Sequence, residues 1–230
     1  VGRFPKRNRT NQLKGIKMGT ETKITLRENG PLVVSAPPDL RDPVGAEIET
    51  GAVAALCRCG RSKNKPFCDG SHKAAGFTSA PDHSSIRNSE IQYTGVVEGR
   101  EVTVSYTPVL CSHAGECSRL AKAVFNPSEK PWIKPENGTL EDVVAVLAAC
   151  PSGALRMNIG QQRPYHLASV DVEITVEEHG PYWVKNIPLE AEFNGAGASR
   201  AKYVLCRCGQ SKNKPFCDGT HYDVKWRDDT

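Results

Sequence analysis

Residues 57–72 read Cys-Arg-Cys-Gly-Arg-Ser-Lys-Asn-Lys-Pro-Phe-Cys-Asp-Gly-Ser-His, and residues 206–221 read Cys-Arg-Cys-Gly-Gln-Ser-Lys-Asn-Lys-Pro-Phe-Cys-Asp-Gly-Thr-His. Only Arg61/Gln210 and Ser71/Thr220 separate the two stretches. Both follow Cys-x-Cys-x8-Cys-x3-His, so each offers three soft thiolates and one imidazole to a metal or iron–sulfur site. The candidate ligands are Cys57, Cys59, Cys68 and His72 in the first copy, and Cys206, Cys208, Cys217 and His221 in the second. A string kept this closely assigns the same chemistry to both.

The repeat extends beyond the ligands. Lys23–Arg27 and Val172–Val176 alternate like strands, Glu28–Pro31 and Glu178–Pro181 read as turns, and Leu32–Val34 and Tyr182–Val184 resume the strand. Pro37-Pro38 and Asp42-Pro43 read as breaks, and Gly51–Leu56 leads into Cys57. Ile24 and Gly30 match Ile174 and Gly180 at an offset of 150, whereas Cys57 matches Cys206 at 149, so a whole domain is duplicated with a one-residue slip. A unit this small buries little core alone. Two units about a pseudo-twofold axis achieve inside one chain what a homodimer achieves with two.

Between the copies, Ser89–Gly160 resembles neither. It opens with a predicted hairpin, Ile91–Val97 and Val102–Tyr106. A tight Cys111–Cys117 loop follows, then a predicted helix over Ser118–Phe125 that Asn126-Pro127 stops. Thr139 and Asp142 form a capping pair for a second helix with Leu140, Val143, Val144 and Leu147 on one apolar face, and Ala154–Asn158 reads as a closing strand. The expected organisation is a basic tail over 1–20, a first repeat domain over 21–85, a middle domain over 86–162 and a second repeat domain over 163–230. Ala80–Ser85 and Gln161–Pro164 are the linkers.

Charge and cysteine usage narrow the classes. The net charge is +4, but residues 1–17 hold six cations and no acid, which leaves the remainder at −2; nucleic-acid binding is not expected. The nine cysteines fall in three groups of three, a pattern that argues for metal-held thiolates and against a disulfide framework. The longest wholly apolar run, Val143–Cys150, is too short to span a bilayer, and no signal peptide is visible, so a cytoplasmic protein is expected.

Three cysteines and a histidine suit either zinc or a cluster. Structural zinc usually enters through Cys-x2-Cys turns. The Cys-x-Cys pairs here set both thiolates on one side of an extended backbone, which suits one iron of a rhombic cluster. The pattern Cys-x-Cys-x2-Ser-x3-Pro-x-Cys-Asp-Gly-Ser/Thr-His resembles the signature of the CDGSH iron–sulfur proteins, the mitoNEET-like family, and every position is filled twice. That resemblance implies a [2Fe-2S] cluster in each copy, with Cys57/Cys59 and Cys206/Cys208 on the inner iron, and Cys68/His72 and Cys217/His221 on the outer. It also implies a strand-exchanged β-cap over a cluster-binding lobe. A neutral imidazole in place of a thiolate removes negative charge and raises the potential. Lys63, Lys65, Lys212 and Lys214 act in the same direction.

In the middle segment, Cys111, Cys117 and Cys150-Pro151 form a ferredoxin arrangement whose central position is Ala114. Three thiolates suit a [3Fe-4S] cluster, or a [4Fe-4S] cluster whose fourth iron takes water or another side chain, with His113 as candidate. Residues 91–157 resemble the divergent mono-cluster ferredoxins through Cys111–Cys117, Val124-Phe125, Pro131-Trp132-Ile133 and Cys150–Leu155. The alternative is a ferredoxin-like domain that has lost its cluster.

The expectation is an α+β protein with two β-rich CDGSH lobes forming an intramolecular pseudo-dimer and a small ferredoxin-like insertion. Its expected function is one-electron transfer as a monomer without nucleic acid or membrane, serving redox partner proteins or apo-protein cluster acceptors. Cluster donation or storage is the near alternative and structural zinc the far one. No motif points to an enzyme. Asp69 and Ser71 are expected to cap a short helix that aims Cys68 and His72, and Phe77 and Trp226 to be core or interface aromatics.

Overall fold

The computed structural model describes residues 21–82 and 87–229; the basic stretch 1–17 and part of the 80–85 linker lie outside the described residues. The first copy contributes β1 (Lys23–Leu26), β2 (Leu32–Ser35), β3 (Asp39–Arg41) and β4 (Val53–Leu56). Antiparallel pairing sets Ile24 opposite Val34 and Leu32 opposite Leu56, so the alternating apolar positions share one buried face. The resulting sheet has the order β1-β2-β4.

The insertion supplies β5 (Ile91–Val97), β6 (Arg100–Tyr106), α1 (Glu116–Leu120), α2 (Leu140–Ala149) and β7 (Leu155–Ile159), with the sheet order β5-β6-β7. The capping pair forms as expected: Thr139 Oγ1 accepts from the Asp142 N–H, and Asp142 accepts from the Thr139 N–H. Two details differ from the sequence reading. The Ser118–Phe125 helix starts earlier and ends at Leu120, because Gly115 opens it in a left-handed conformation and Ala121 leaves helical geometry. Val124 and Phe125 are instead buried beyond it, with Phe125 bridging Ile133. On α2 the buried residues are Val143, Val146 and Leu147, while Leu140 and Val144 are only half-buried.

The second copy contributes β8 (Glu173–Val176), β9 (Tyr182–Lys185), β10 (Lys202–Leu205) and α3 (Thr220–Asp223). Its sheet runs β10-β9-β8-β3, and its last strand comes from the first copy. β3 crosses to pair in parallel with β8, placing Leu40 opposite Ile174. The reciprocal exchange brings Leu189 beside Ile24: the Ile24 N–H donates to Pro188 O at 2.8 Å, and the Glu190 N–H donates to Ile24 O at 3.2 Å. The breaks at Pro37-Pro38 and Asp42-Pro43 therefore bracket a strand absent from the sequence reading. Its three residues are too few to form a strand without the sheet of the other half.

Ile24, Leu32, Val34, Leu40 and Leu56 pack with Ile174, Tyr182, Val184, Leu189 and Leu205 in one buried cluster. The two copies thus share a core, as a pseudo-dimer requires. The insertion has its own core around Val104, Phe125, Ile133, Val146 and Leu147. It docks on the second copy: Lys202 Nζ caps the end of α2 by donating to Leu147 O at 2.5 Å, and Asn213 Nδ2 donates to Val109 O at 3.0 Å. Among the described residues, no helix is long and apolar enough to cross a membrane.

Candidate metal centres

In both copies the candidate ligands stand as two pairs. Cys57 Sγ and Cys59 Sγ are 3.7 Å apart, as are Cys206 Sγ and Cys208 Sγ. Cys68 Sγ lies 3.4 Å from His72 Nδ1, and Cys217 Sγ lies 3.4 Å from His221 Nδ1. Among the described residues, no three His, Cys, Asp or Glu side chains converge closely enough to hold one metal ion. A tetrahedral ion needs all four donors on a single centre. Two separate pairs fit a body with two metal atoms, each taking one pair.

Backbone hydrogen bonds hold the pairs in place. Cys57 and Cys206 donate their N–H groups to Pro66 O and Pro215 O, both at 2.8 Å, closing each ligand loop. Ser62 Oγ donates to Phe67 O, and Ser211 Oγ to Phe216 O, both at 2.6 Å. Asp69 braces the loop by accepting from the Lys63 N–H at 2.8 Å and the Ser71 N–H at 2.9 Å, and Asp218 repeats this with Lys212 and Thr220. These bonds, led by the one from Lys63, hold the Asp69 carboxyl well below the usual carboxylate range. The expected helix behind Asp69 and Ser71 is a run of turns in the first copy; in the second it is α3, which Gly219 opens with no side-chain cap.

The two cysteine loops meet back to back. Gly60 and Gly209 have φ of +75° and +82°, and a Cβ on them would come within 2.5 Å of Cys208 O and 2.6 Å of Cys59 O. Only glycine permits both the conformation and the approach.

Burial and pairing prepare the thiols. The hydrogen bond from Cys59 pulls the Cys57 thiol down, and the one from Cys208 pulls Cys206 down, while both donors shift up. In each inner pair one thiol is thus shifted toward the thiolate, the form that binds metal. Burial and the neighbouring His113 lower the His221 imidazole to about 4, which keeps it in the neutral form a metal requires.

Three residues escaped the sequence reading. Arg58 and Arg207, the middle residues of the two Cys-x-Cys pairs, are 4% and 2% exposed, so each buries a cation beside the ligands. Arg58 donates to Gly30 O and Arg27 O, and Arg207 to Gly180 O and Glu177 O; Arg207 also pairs with Asp228. Their occurrence in both copies was the available signal. The Tyr182 hydroxyl reaches across from the second copy to Cys57 O at 2.8 Å and Pro66 O at 2.9 Å. Nothing in the sequence marks it, because the first copy has Leu32 at that place. Phe77 and Trp226 stack beneath Arg58 and Arg207, at 5.4 and 5.0 Å from guanidinium to ring centroid. The Lys65 amine is drawn away to Asp228 O at 2.9 Å, and the Lys214 amine donates to Ser211 O at 2.8 Å.

Cys111, Cys117 and Cys150 line one cavity of about 440 Å³, together with Tyr106, His113 and Trp132. α1 carries Cys117, and Cys150 follows directly on α2. Burial pushes the Cys111 thiol up to about 11 and raises Cys117 as well. Three thiols around one such space, with no three side chains close enough for a single ion, fit a polynuclear cluster. His113, at φ +59°, lines the cavity but sets its ring against Gly219, where an added Cβ would lie 2.8 Å from His113 Nδ1.

Comparison with known proteins agrees with this geometry. Residues 29–73 and 179–222 match the family described as "Iron-binding zinc finger CDGSH type", and residues 97–159 match "Divergent 4Fe-4S mono-cluster". The chain is 40% identical to Uncharacterized protein YjdI of Escherichia coli (strain K12) over 58 residues, which is 25% of this chain and 76% of that protein. It is 53% identical to the mitochondrial CDGSH iron-sulfur domain-containing protein 3 of Mus musculus over 32 residues, 14% of this chain and 23% of that one. The Homo sapiens counterpart is 52% identical over 33 residues, covering 14% of this chain and 26% of its own length. No solved structure gives a significant match.

Proposed function

This chain belongs to the iron-binding CDGSH-type family, carries that domain twice around a divergent 4Fe-4S mono-cluster domain, and is an iron–sulfur protein; we propose that it is a one-electron carrier with a [2Fe-2S] cluster in each CDGSH copy and a third cluster in the middle. The observation that supports this best is the two-by-two grouping of the ligands, Cys57 with Cys59 and Cys68 with His72, repeated in the second copy. Structural zinc would instead bring four donors to one point.

Bound in these sites, a cluster would accept and return a single electron without bond rearrangement. The chain's own residues set how readily. His72 and His221 serve as neutral ligands and so leave less negative charge than a fourth thiolate would. Arg58 and Arg207 hold buried positive charge beside the inner cysteines and offset the added electron. Both effects favour the reduced form and raise the potential above that of an all-cysteine site. Cys111, Cys117 and Cys150 hold the middle cluster, of [3Fe-4S] or [4Fe-4S] type. The chain acts as a cytoplasmic, non-enzymatic monomer, and catalysis belongs to the redox partner proteins that supply and take its electrons.

Electron paramagnetic resonance of the oxidised and reduced protein, with iron and sulfide counts, tests this reading. About seven irons per chain is expected for two rhombic clusters and a [3Fe-4S] centre, about eight if the centre is [4Fe-4S], and about four means an empty middle. A colourless, zinc-containing protein would overturn it. Cluster donation to apo-proteins is a second reading, favoured at the first copy, where Cys68 and His72 are only partly buried.

A further inference from the structure

The ligand loops are nearly identical, but their surroundings differ on the outer edge. His221 is 4% exposed and Cys217 2%, whereas His72 and Cys68 are only partly buried. Asn213 is fully buried and donates to Val109 O of the insertion at 3.0 Å; its counterpart Asn64 is exposed. A Cβ on Gly219 would meet the His113 ring at 2.8 Å, while one on Gly70 would meet nothing within 4 Å. The insertion therefore covers the histidine edge of the second copy and leaves that of the first open.

The open edge also carries a different charge. Arg61, Lys63 and Lys73 are exposed around it. At the matching positions of the second copy stand Gln210, Lys212 and Tyr222, followed by Asp223 where the first copy has Ala74. The nearby acid of the first edge, Asp69, spends its carboxylate on the backbone N–H groups of Lys63 and Ser71. Where the open edge departs from the covered one, it gains cations.

We propose that the His72 edge of the first copy is this chain's docking face for an acidic partner protein, because the insertion occupies the equivalent face of the second copy. The inference rests on the carrier reading only in needing a partner at all. His113 acts as a positioning residue that seats the insertion against Gly219, and the partner is recognised by carboxylates facing Arg61, Lys63 and Lys73. Complementary charge of this kind mainly speeds encounter and weakens with salt.

The test uses the full chain with its metal in place and an acidic plant-type ferredoxin as probe. Carbodiimide cross-linking joins lysine amines to the probe's carboxylates, and peptide mass spectrometry maps them. Cross-links at Lys63 and Lys73, with Lys212 spared, are expected. The double variant Lys63→Glu/Lys73→Glu should weaken binding about tenfold or more at low salt, with the difference shrinking as salt is added. Hydroxyl-radical footprinting, which attacks ring carbons and so reads solvent access even at a ligated imidazole, probes the covered edge independently: His72 should react and His221 should be protected until His113→Ala uncovers it. No cross-link at Lys63 or Lys73, cross-linking of Lys212 to the same extent, or equal reactivity of the two histidines would overturn the proposal. Iron and sulfide counts on the same preparation separate it from the carrier reading. A zinc-loaded chain that still cross-links through Lys63 and Lys73 fails the cluster assignment and keeps the docking face. An iron–sulfur chain cross-linked equally at Lys212 does the reverse.

Discussion

The CDGSH lobes and the insertion solve opposite halves of one problem. In each lobe the ligands lie within sixteen residues, and local hydrogen bonds donated by Ser62 or Ser211 and accepted by Asp69 or Asp218 shape the loop. The scaffold beneath is non-local: β3 completes the sheet of the other half, and Ile24 and Leu40 share a core with Ile174 and Leu189. The insertion reverses this. Its core is its own, but its thiols come from two separate segments, Cys111 with Cys117 and Cys150 far beyond them. A site can thus be local on a shared scaffold, or assembled from distant segments on an independent one.

The sharpest way to break the comparison is ligand removal. Cys150→Ser should abolish the middle cluster and leave the four irons of the lobes, about four per chain by iron count. Loss of lobe iron as well would mean that the insertion is not self-contained. Core truncation comes next. Phe125→Ala should cost about 3–5 kcal/mol and Leu40→Ala about 2–5 kcal/mol, since both side chains are buried. Hydrogen exchange should show the first loss within residues 91–159 and the second in both lobes together. If Leu40→Ala loosens only the first lobe, the shared core is not cooperative.

Ligand exchange gives a smaller effect. His72→Cys and His221→Cys should keep the clusters to lower pH and lower their potentials, because a protonated imidazole cannot hold a metal and a thiolate adds charge. Acid bleaching and redox titration check this, and unchanged acid lability in both variants would count against histidine ligation. The smallest effect is a pH dependence at Glu177. Burial raises its carboxyl from an ordinary 4.5 to about 7, despite the Trp183 hydrogen bond and Arg207. Between those values the folded state holds the proton more tightly than the unfolded one, so lobe stability falls as pH rises from 4.5 to about 7. Glu177→Gln should flatten that slope in denaturant titrations across the same interval, and an unchanged slope would remove Glu177 as its source.

The sequence by itself determined the duplicated ligand sets, the repeat behind them, the insertion between them and the Thr139–Asp142 cap. All of these rest on short-range signals: identical strings, alternation and residues three apart. Only the tertiary structure decided that Asp39–Arg41 is a strand, since three residues between proline breaks gain their sheet pairing from β8 of the other copy. It also decided that Tyr182 serves the Cys57 loop, that Val146 joins the fully buried residues of α2 while Val144 packs against them half-buried, and that Asp69 braces a loop. In the opening stretch, the same Asn and the same His stand in both copies, yet Asn64 faces solvent and Asn213 is buried. Identical residues acquired different surroundings because burial is a property of what packs against a loop, and the insertion packs against only one of them.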